Sequence, residues 1–297
     1  MISVSIIIVT YNSEKEIINC VSSLLPQLND INGEIIIIDN DSTDNTIPII
    51  EKVKKTSISI IQNSGNLGYT IANNQGISIA KGKYLLFLNP DTVVPNNIIN
   101  NLVNDINNNK TIGAIAPQLR FPNGKIQKSC RRFPRRRDII YESFGLSRIF
   151  KNSKEFNYWK MGDFDHKKSS LVDQPAGAVL LIPKKIIDEV GLLDEQFPMF
   201  FSDVDICKRI WDAGYNIRYN TNFYITHKGG ASVYRKRIKM IISSHLSFWK
   251  YFIKHNSKLV DFVLNTFVGF FLLLLIPLRI LLNLLFPTLI RRERRSL

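Results

Sequence analysis

Four consecutive isoleucines, Ile35–Ile38, set between Glu34 and Asp39, constrain the fold of this chain more than any other feature. A strand that is apolar at every position has no face for water, so it belongs inside a sheet covered by helices on both sides. The surrounding pattern agrees. From residue 1 to about 115, apolar runs alternate with amphipathic stretches. Strands are expected over Ser3–Thr10, Glu34–Asp39, Ser57–Gln62, Lys83–Asn89 and Ile112–Leu119, and helices from Ser13 to about Leu25, Thr43 to Lys54 and Tyr69–Ala80. Ser13-Glu14-Lys15-Glu16 has the form of a capping box opening the first helix. This alternation predicts an α/β fold with a mostly parallel, Rossmann-like central sheet flanked by helices.

Pro122-Asn123-Gly124 reads as a tight turn, and 131–170 as irregular and basic. Periodicity returns with a strand at Gly177–Pro183, helices at Lys184–Val190 and Asp203–Ala213, and a strand at Ile217–Tyr219. Three segments follow: 1–115, 116–232 and 233–297. The first ten residues are apolar but lack a basic lead and a small-residue cleavage site, so they read as a buried strand rather than a signal peptide. Cys20, Cys130 and Cys207 are odd in number and far apart, as in reduced thiols of a cytosolic protein.

The formal charge of +14 is unevenly placed. Residues 1–130 hold ten basic and ten acidic side chains, whereas 131–297 hold 29 and 15. A nucleic-acid binder could show such a split. The basic runs lie beside apolar sequence, however, and favour an anionic membrane surface or a lipid diphosphate over nucleic acid. Arg235–His255 is basic and aromatic, with Trp249, Tyr251 and Phe252 close together, as in interfacial helices. Phe262–Leu278 is an uncharged run of 17 residues, Arg279 interrupts it, and Arg291, Arg292, Arg294 and Arg295 close the chain. Basic residues on both flanks oppose a single span. The expectation is a re-entrant hairpin near Pro277 or an interfacial helix pair; a buried core helix or a dimer interface is the other reading.

Candidate chemistry sits at strand ends, where open α/β sheets place ligands. Thr10-Tyr11-Asn12 ends the first strand. An aromatic ring there can cover a nucleobase, and Asp39 at the end of the second can accept an imide N–H, although Asp39-Asn40-Asp41-Ser42 also describes an ordinary turn. Asn89-Pro90-Asp91 puts a carboxylate where a hard cation would meet a diphosphate, or simply ends a strand. His227 stands alone unless it is a second ligand. Asp203 and Asp205 open a helix, either as dipole partners or, for Asp203, as a general base; Asp205 is in position to pair with Arg209. Arg131, Arg132, Arg135 and Arg136 form a cluster suited to phosphate or a solvated loop.

VSIIIVTYNS, IIIIDNDSTDNT, NSGNLGYTIANNQGISIAKGKYLLFLNPDTVV, PAGAVLLIPKKIIDEVGLLDEQFPMFFSDVDICKRIWDAGY and ITHKGGAS occur in order. Together, over about residues 2–232, they resemble family 2 glycosyltransferases of GT-A fold, in particular the rhamnosyltransferase-like branch. The resemblance implies a metal-dependent, inverting transfer of a sugar from a nucleotide-sugar. Thr10, Tyr11 and Asn12 would line the nucleoside site and Asp39 would read a uracil or thymine imide. Asn66 would lie near the donor, with Asn73 and Asn74 facing the sugar or ribose. Asn89-Pro90-Asp91 is similar to the DxD motif, with Asn89 in place of the first acid, leaving Asp91 and His227 to hold Mg²⁺ or Mn²⁺. Asp203 falls at the catalytic base, while Ser202 stands where many relatives carry Glu. dTDP-L-rhamnose is the expected donor, with a UDP-hexose as the alternative. A polyprenyl-diphosphate-linked saccharide is the expected acceptor, in surface polysaccharide or O-antigen synthesis at the cytoplasmic face of the plasma membrane. A homodimer stays open. A catalytically silent scaffold is the competing class, opposed by the intact Asp39, Asp91, Asp203 and His227. A processive synthase is opposed by the lack of a Gln-x-x-Arg-Trp segment.

Overall fold

A computed structural model of the chain describes residues 2–53, 55–229 and 237–285. The terminal arginines at 291, 292, 294 and 295, and the start of the basic stretch at Arg235, lie outside them. The chain divides into two units.

The first unit comprises Met1–Arg132, Asp165–Pro198 and Ser202–Gly229. It begins with β1 (Val4–Thr10), α1 (Ile17–Leu24), β2 (Gly33–Asp39), α2 (Thr46–Val53), β3 (Ile58–Gln62), α3 (Tyr69–Ile79) and β4 (Tyr84–Leu88). It continues with β5 (Thr92–Val93), α4 (Ile98–Asn108), β6 (Ile112–Arg120) and β7 (Cys130–Arg131). Among the described residues nine strands form one mixed sheet, in which β3, β2, β1 and β4 are neighbours and mutually parallel, and β7 lies outside it in a separate two-stranded sheet. Ile35 to Ile38 are all buried, as a strand covered on both faces requires. The register pairs Thr10 with Asp39 and Ile8 with Leu88, so these strands end together at one edge.

The second unit comprises Phe133–Phe164, Met199–Phe201 and Gly230–Leu297 and opens with α5 (Arg136–Ser143) and α6 (Leu146–Ile149). The chain then returns to the first unit for β8 (Ser170–Leu171), β9 (Gln174–Pro175), β10 (Val179–Pro183), α7 (Lys184–Val190), α8 (Ser202–Asp212) and β11 (Asn216–His227). β10 runs antiparallel between β4 and β6, and β11 lies parallel to β6. The sheet therefore continues through the position near 115 where the sequence suggests a boundary. The second unit closes with α9 (Arg237–His255) and α10 (Leu259–Leu285).

Several local expectations change. Ser13 does not cap α1: its N–H donates to Thr46 Oγ1 (2.7 Å), its carbonyl takes the amides of Glu16 and Ile17, and α1 starts at Ile17 without a side-chain cap. The loop after β1 is thus tied to the start of α2, where Asp44 accepts the Thr46 amide at 3.0 Å. Helix α4 has no counterpart in the sequence reading, although Ile99, Leu102, Val103 and Ile106 are buried at helical spacing. Strand β11 runs to His227, far beyond Tyr219. The turn at Pro122–Gly124 forms, with Gly124 at φ +80°.

The expected hairpin near Pro277 does not form, because α10 runs through that proline. One missing N–H and a ring clash cost a helix ~3 kcal/mol, whereas a turn inside an apolar run would strip several backbone groups of partners. The chain reverses instead at 256–258, where polar residues separate α9 from α10. At 1.5 Å per residue α10 is ~40 Å long. Among the described residues it is the one helix long and apolar enough to cross a membrane.

Candidate functional site

The C-terminal ends of β1, β2 and β4 gather the expected donor-side residues at one edge of the sheet. Asp39 is almost fully buried. Its Oδ1 accepts the hydroxyls of Thr10 and Ser42, each at 2.6 Å, and its Oδ2 accepts the Ser42 amide at 2.8 Å. The buried Thr10 hydroxyl thus holds the Asp39 carboxylate in place. Oδ2 keeps acceptor capacity for a further donor, which an imide N–H would satisfy. Asn12, at φ +52°, accepts the Thr43 amide at 2.8 Å, and Tyr11 beside it is half-buried.

Asp91 and His227 are brought together by the pairing of β5 with the end of β11, which sets Thr92 opposite His227. His227 Nε2 lies 3.3 Å from Asp91 Oδ1, and the Gly229 amide donates to Asp91 Oδ2 at 3.0 Å. Burial pushes the Asp91 carboxyl up, but the His227 hydrogen bond and charge and the Gly229 amide outweigh it, leaving it below the ordinary value. Gln127 holds the imidazole from behind. Its Nε2 donates to the His227 carbonyl, so its Oε1, 2.9 Å from Nδ1, is the atom facing the ring. Nδ1 then carries a hydrogen toward Gln127, and Nε2, whose hydrogen faces Asp91, would give that hydrogen up to a cation bound between the two side chains. Lys228 Nζ reaches Glu16 at 2.7 Å and ties this strand end to the start of α1.

Asp203, in the first turn of α8, accepts the Gly177 amide at Oδ2 (2.9 Å) and the Val204 amide at Oδ1 (2.9 Å). Burial raises its pKa above the ordinary carboxylate value, only partly offset by these backbone hydrogen bonds. The Tyr69 hydroxyl donates to the Gly177 carbonyl at 3.1 Å, and burial together with the Asp203 charge keeps that phenol protonated. A backbone path joins Asp203 and the candidate metal site: the residue after Gly177, Ala178, accepts the Asn89 amide at 2.9 Å. Gly177 has no room for a side chain, since a β-carbon would stand 2.9 Å from Asp203 Cβ. Gly177→Ala is expected to displace Asp203, costing about 1–3 kcal/mol of stability and most of the activity; thermal melting and initial rates check both.

Other expected site residues have different partners. Asn74 Nδ2 donates to the Leu193 carbonyl (2.9 Å) and its Oδ1 accepts the Leu193 amide (3.1 Å), so it clasps a loop. Buried Asn73 donates to the Tyr69 carbonyl at 2.8 Å, and exposed Asn66 accepts the Gly68 amide at 3.1 Å. Asp205 is buried and pairs with Arg209 at 2.9 Å, as its spacing predicts; Arg209 in turn donates to the carbonyls that end α7. Arg131 donates to the Lys128 and Cys130 carbonyls. Arg135 pairs with Asp138 and Glu155 and stacks on Tyr158, and Arg136 pairs with Asp261 at 2.7 Å. Arg135 and Arg136, expected to meet phosphate, are thus each ion-paired within the chain. Gln127, Gly177 and Tyr69 went unmarked because each acts through another residue. Cys20, Cys130 and Cys207 are buried thiols, and burial pushes Cys20 and Cys130 up to about 12.

Asp91 and His227 suit a divalent cation: one carboxylate and one imidazole whose tautomer a neighbour fixes. Among the described residues no group of three or more acidic, histidine or cysteine side chains could hold a metal alone. The remaining ligands would then come from substrate phosphates, as is usual for Mg²⁺.

Residues 5–165 match the family described as Glycosyl transferase family 2. The chain is 30% identical over 234 residues to UDP-Glc:alpha-D-GlcNAc-diphosphoundecaprenol beta-1,3-glucosyltransferase WfaP of Escherichia coli, covering 77% of this chain and 79% of that enzyme. It is 23% identical to the N-acetylglucosaminyl-diphospho-decaprenol L-rhamnosyltransferase of Mycobacterium tuberculosis, covering 72% of each. Two other relatives are matched over only 35% and 43% of their length. The fold is similar to that of the mannosyltransferase PcManGT from Pyrobaculum calidifontis in complex with GDP-Man and Mn²⁺, with TM-score 0.57, 16% identity, and 92% of this chain and 70% of that one covered. The sheet is thus of GT-A type, and the expected catalytic and metal-site acids stand at one edge of it. By sequence and by fold, this chain belongs to family 2 of the glycosyltransferases.

Proposed function

We propose that this enzyme transfers a hexosyl unit from a pyrimidine nucleoside-diphosphate sugar to a lipid-linked saccharide, in a single inverting displacement during glycan assembly at the cytoplasmic face of a membrane. The observation that carries the reading is the Asp203–Gly177–Ala178–Asn89 path, which puts a buried carboxylate of raised basicity two backbone links from Asn89-Pro90-Asp91. In this reading Asp203 takes the proton of the acceptor hydroxyl as that oxygen attacks the anomeric carbon. Asp39 holds the base imide and Tyr11 covers the ring. Asp91 and His227 hold Mg²⁺ or Mn²⁺ on the diphosphate. The bound cation would neutralise the charge of the departing diphosphate.

The relatives named above act, by their names, on diphospholipid-linked N-acetylglucosamine, which supports an acceptor of that class. dTDP-L-rhamnose is the donor the sequence suggests first. UDP-glucose is the second reading, favoured by the name of the 30%-identical relative. Both carry the imide that Asp39 would accept. The test is release of nucleoside diphosphate from a panel of nucleotide-sugars, with Mg²⁺ or Mn²⁺ and a diphospholipid-linked acceptor. Acceptor-dependent turnover of one donor supports the proposal, and turnover of none with the acceptor present contradicts it. Asp39→Ala is expected to raise KM for that donor about 10-fold, the worth of one charge-assisted hydrogen bond, with little change in kcat. An unchanged KM would remove Asp39 from the donor site.

A further inference from the structure

We propose that α10 seats the protein on one leaflet of an anionic bilayer without crossing it, lying along the surface with its open apolar face among the acyl chains. This rests on the membrane association read above and adds the depth and orientation of the contact. Length does not decide the matter, since α10 is long enough to cross. Its two faces do. Phe262, Phe267, Phe270 and Leu274 are exposed, whereas Asn265, Gly269 and Leu272 are buried, at helical spacing along the opposite side.

Helix α9 covers that second side. Asn265 Nδ2 donates to the carbonyls of Phe252 and Asn256, each at 3.0 Å, closing the last turn of α9. A β-carbon on Gly269 would fall inside the Trp249 indole, and the Arg279 charge acts on His245. As α10 advances through 265, 269 and 279, its partners recede through 252, 249 and 245, so the helices run antiparallel over most of their length. Helix α5 adds a polar clamp: Arg136 donates to Asn265 Oδ1 at 2.9 Å and pairs with Asp261 at 2.7 Å.

A crossing has two forms, and both are unfavourable. Taken across together, the helices would carry Lys250 and Lys254 of α9 and the Arg136–Asp261 pair into hydrocarbon. Peeled apart, they would leave Asn265 and the last carbonyls of α9 without partners there. Either form would also pass Arg291, Arg292, Arg294 and Arg295 to the far side. Lying flat keeps every one of these bonds and leaves the lysines of α9 near anionic headgroups.

The test adds the full chain, carrying Ser296→Cys in the tail beyond the described residues, to sealed vesicles of phosphatidylethanolamine and phosphatidylglycerol. The three native cysteines are buried and serve as an unreactive background. An impermeant maleimide outside the vesicles is expected to label the new thiol equally before and after detergent. Labelling only after detergent would overturn one-leaflet seating while leaving membrane association intact. Phe267→Lys with Leu274→Lys, both on the open face, is expected to lower vesicle binding at least about 10-fold with an unchanged melting temperature. No vesicle binding by the unsubstituted chain, with a dimer in sedimentation, would assign the face to a second copy and overturn the proposal together with the membrane reading; glycosyl transfer is measured separately.

Discussion

Asp203→Asn is expected to lower kcat by about 10²–10⁴-fold, the usual worth of a positioned general base, while nucleotide-sugar binding persists. The substitution is close to isosteric but not innocent. Both carboxylate oxygens accept backbone amides, from Gly177 and Val204, so an asparagine must turn its NH₂ toward one of these donors. A loss of about 1–3 kcal/mol from that mismatch is expected, opposed by relief of the buried charge. Melting curves and donor titrations separate lost chemistry from lost fold. Because burial raises the Asp203 pKa, the acid limb of the rate profile should lie above the ordinary aspartate value. The stability sign follows the same shift: the Asp203 contribution is full below its unfolded pKa and is lost as pH rises through the folded one. An acid limb at or below the ordinary value would remove Asp203 from the base role.

Asp91→Ala carries the second large effect, an expected loss of about 10³-fold in kcat/KM together with loss of metal-dependent nucleotide binding. His227 and the Gly229 amide would face an empty position, and a lone imidazole is a poor anchor for a hard cation. Asp91 has the opposite linkage to Asp203. Its lowered carboxyl contributes stability that is present above the unfolded pKa and lost as pH falls through the folded one. The variant should therefore lose less stability on acidification than the wild type. Calorimetric titration of a nucleoside diphosphate with and without Mn²⁺ reads the binding, and unaltered metal-dependent binding in Asp91→Ala would refute the assignment.

The parallel half of the sheet was legible because its strands are apolar at every position, a pattern that admits few arrangements. The candidate acids Asp39 and Asp91 stood out for a related reason, since a carboxylate closing such a run is conspicuous, whereas Asp203 stood out at the start of a helix. What went unread depends on partners distant in sequence. Ser13, Glu14 and Glu16 spell a capping box, yet Ser13 gives its amide to Thr46, 33 residues on. Asn74 looks like its neighbour Asn73 but clasps Leu193, 119 residues away. Helix α4 was hidden by asparagines that looked like compositional bias, although its buried positions follow the helical repeat. The arginine cluster read as a phosphate site or a solvated loop because two of its partners, Glu155 and Asp261, lie far away in sequence. Pro277 misled in the other direction: a proline signals a break, but an apolar run with no polar turn beside it has nowhere better to go than onward as helix.

The most direct test of the central claim, a single displacement with Asp203 as the base, is the stereochemistry of transfer. A proton NMR time course with the donor identified in the panel and a diphospholipid-linked acceptor reads the configuration of the new glycosidic bond as it forms. The account predicts a bond of anomeric configuration opposite to that of the donor from the first turnover, absent in Asp203→Asn. Retained configuration would require a glycosyl-enzyme intermediate or a front-face departure and would contradict the role given to Asp203.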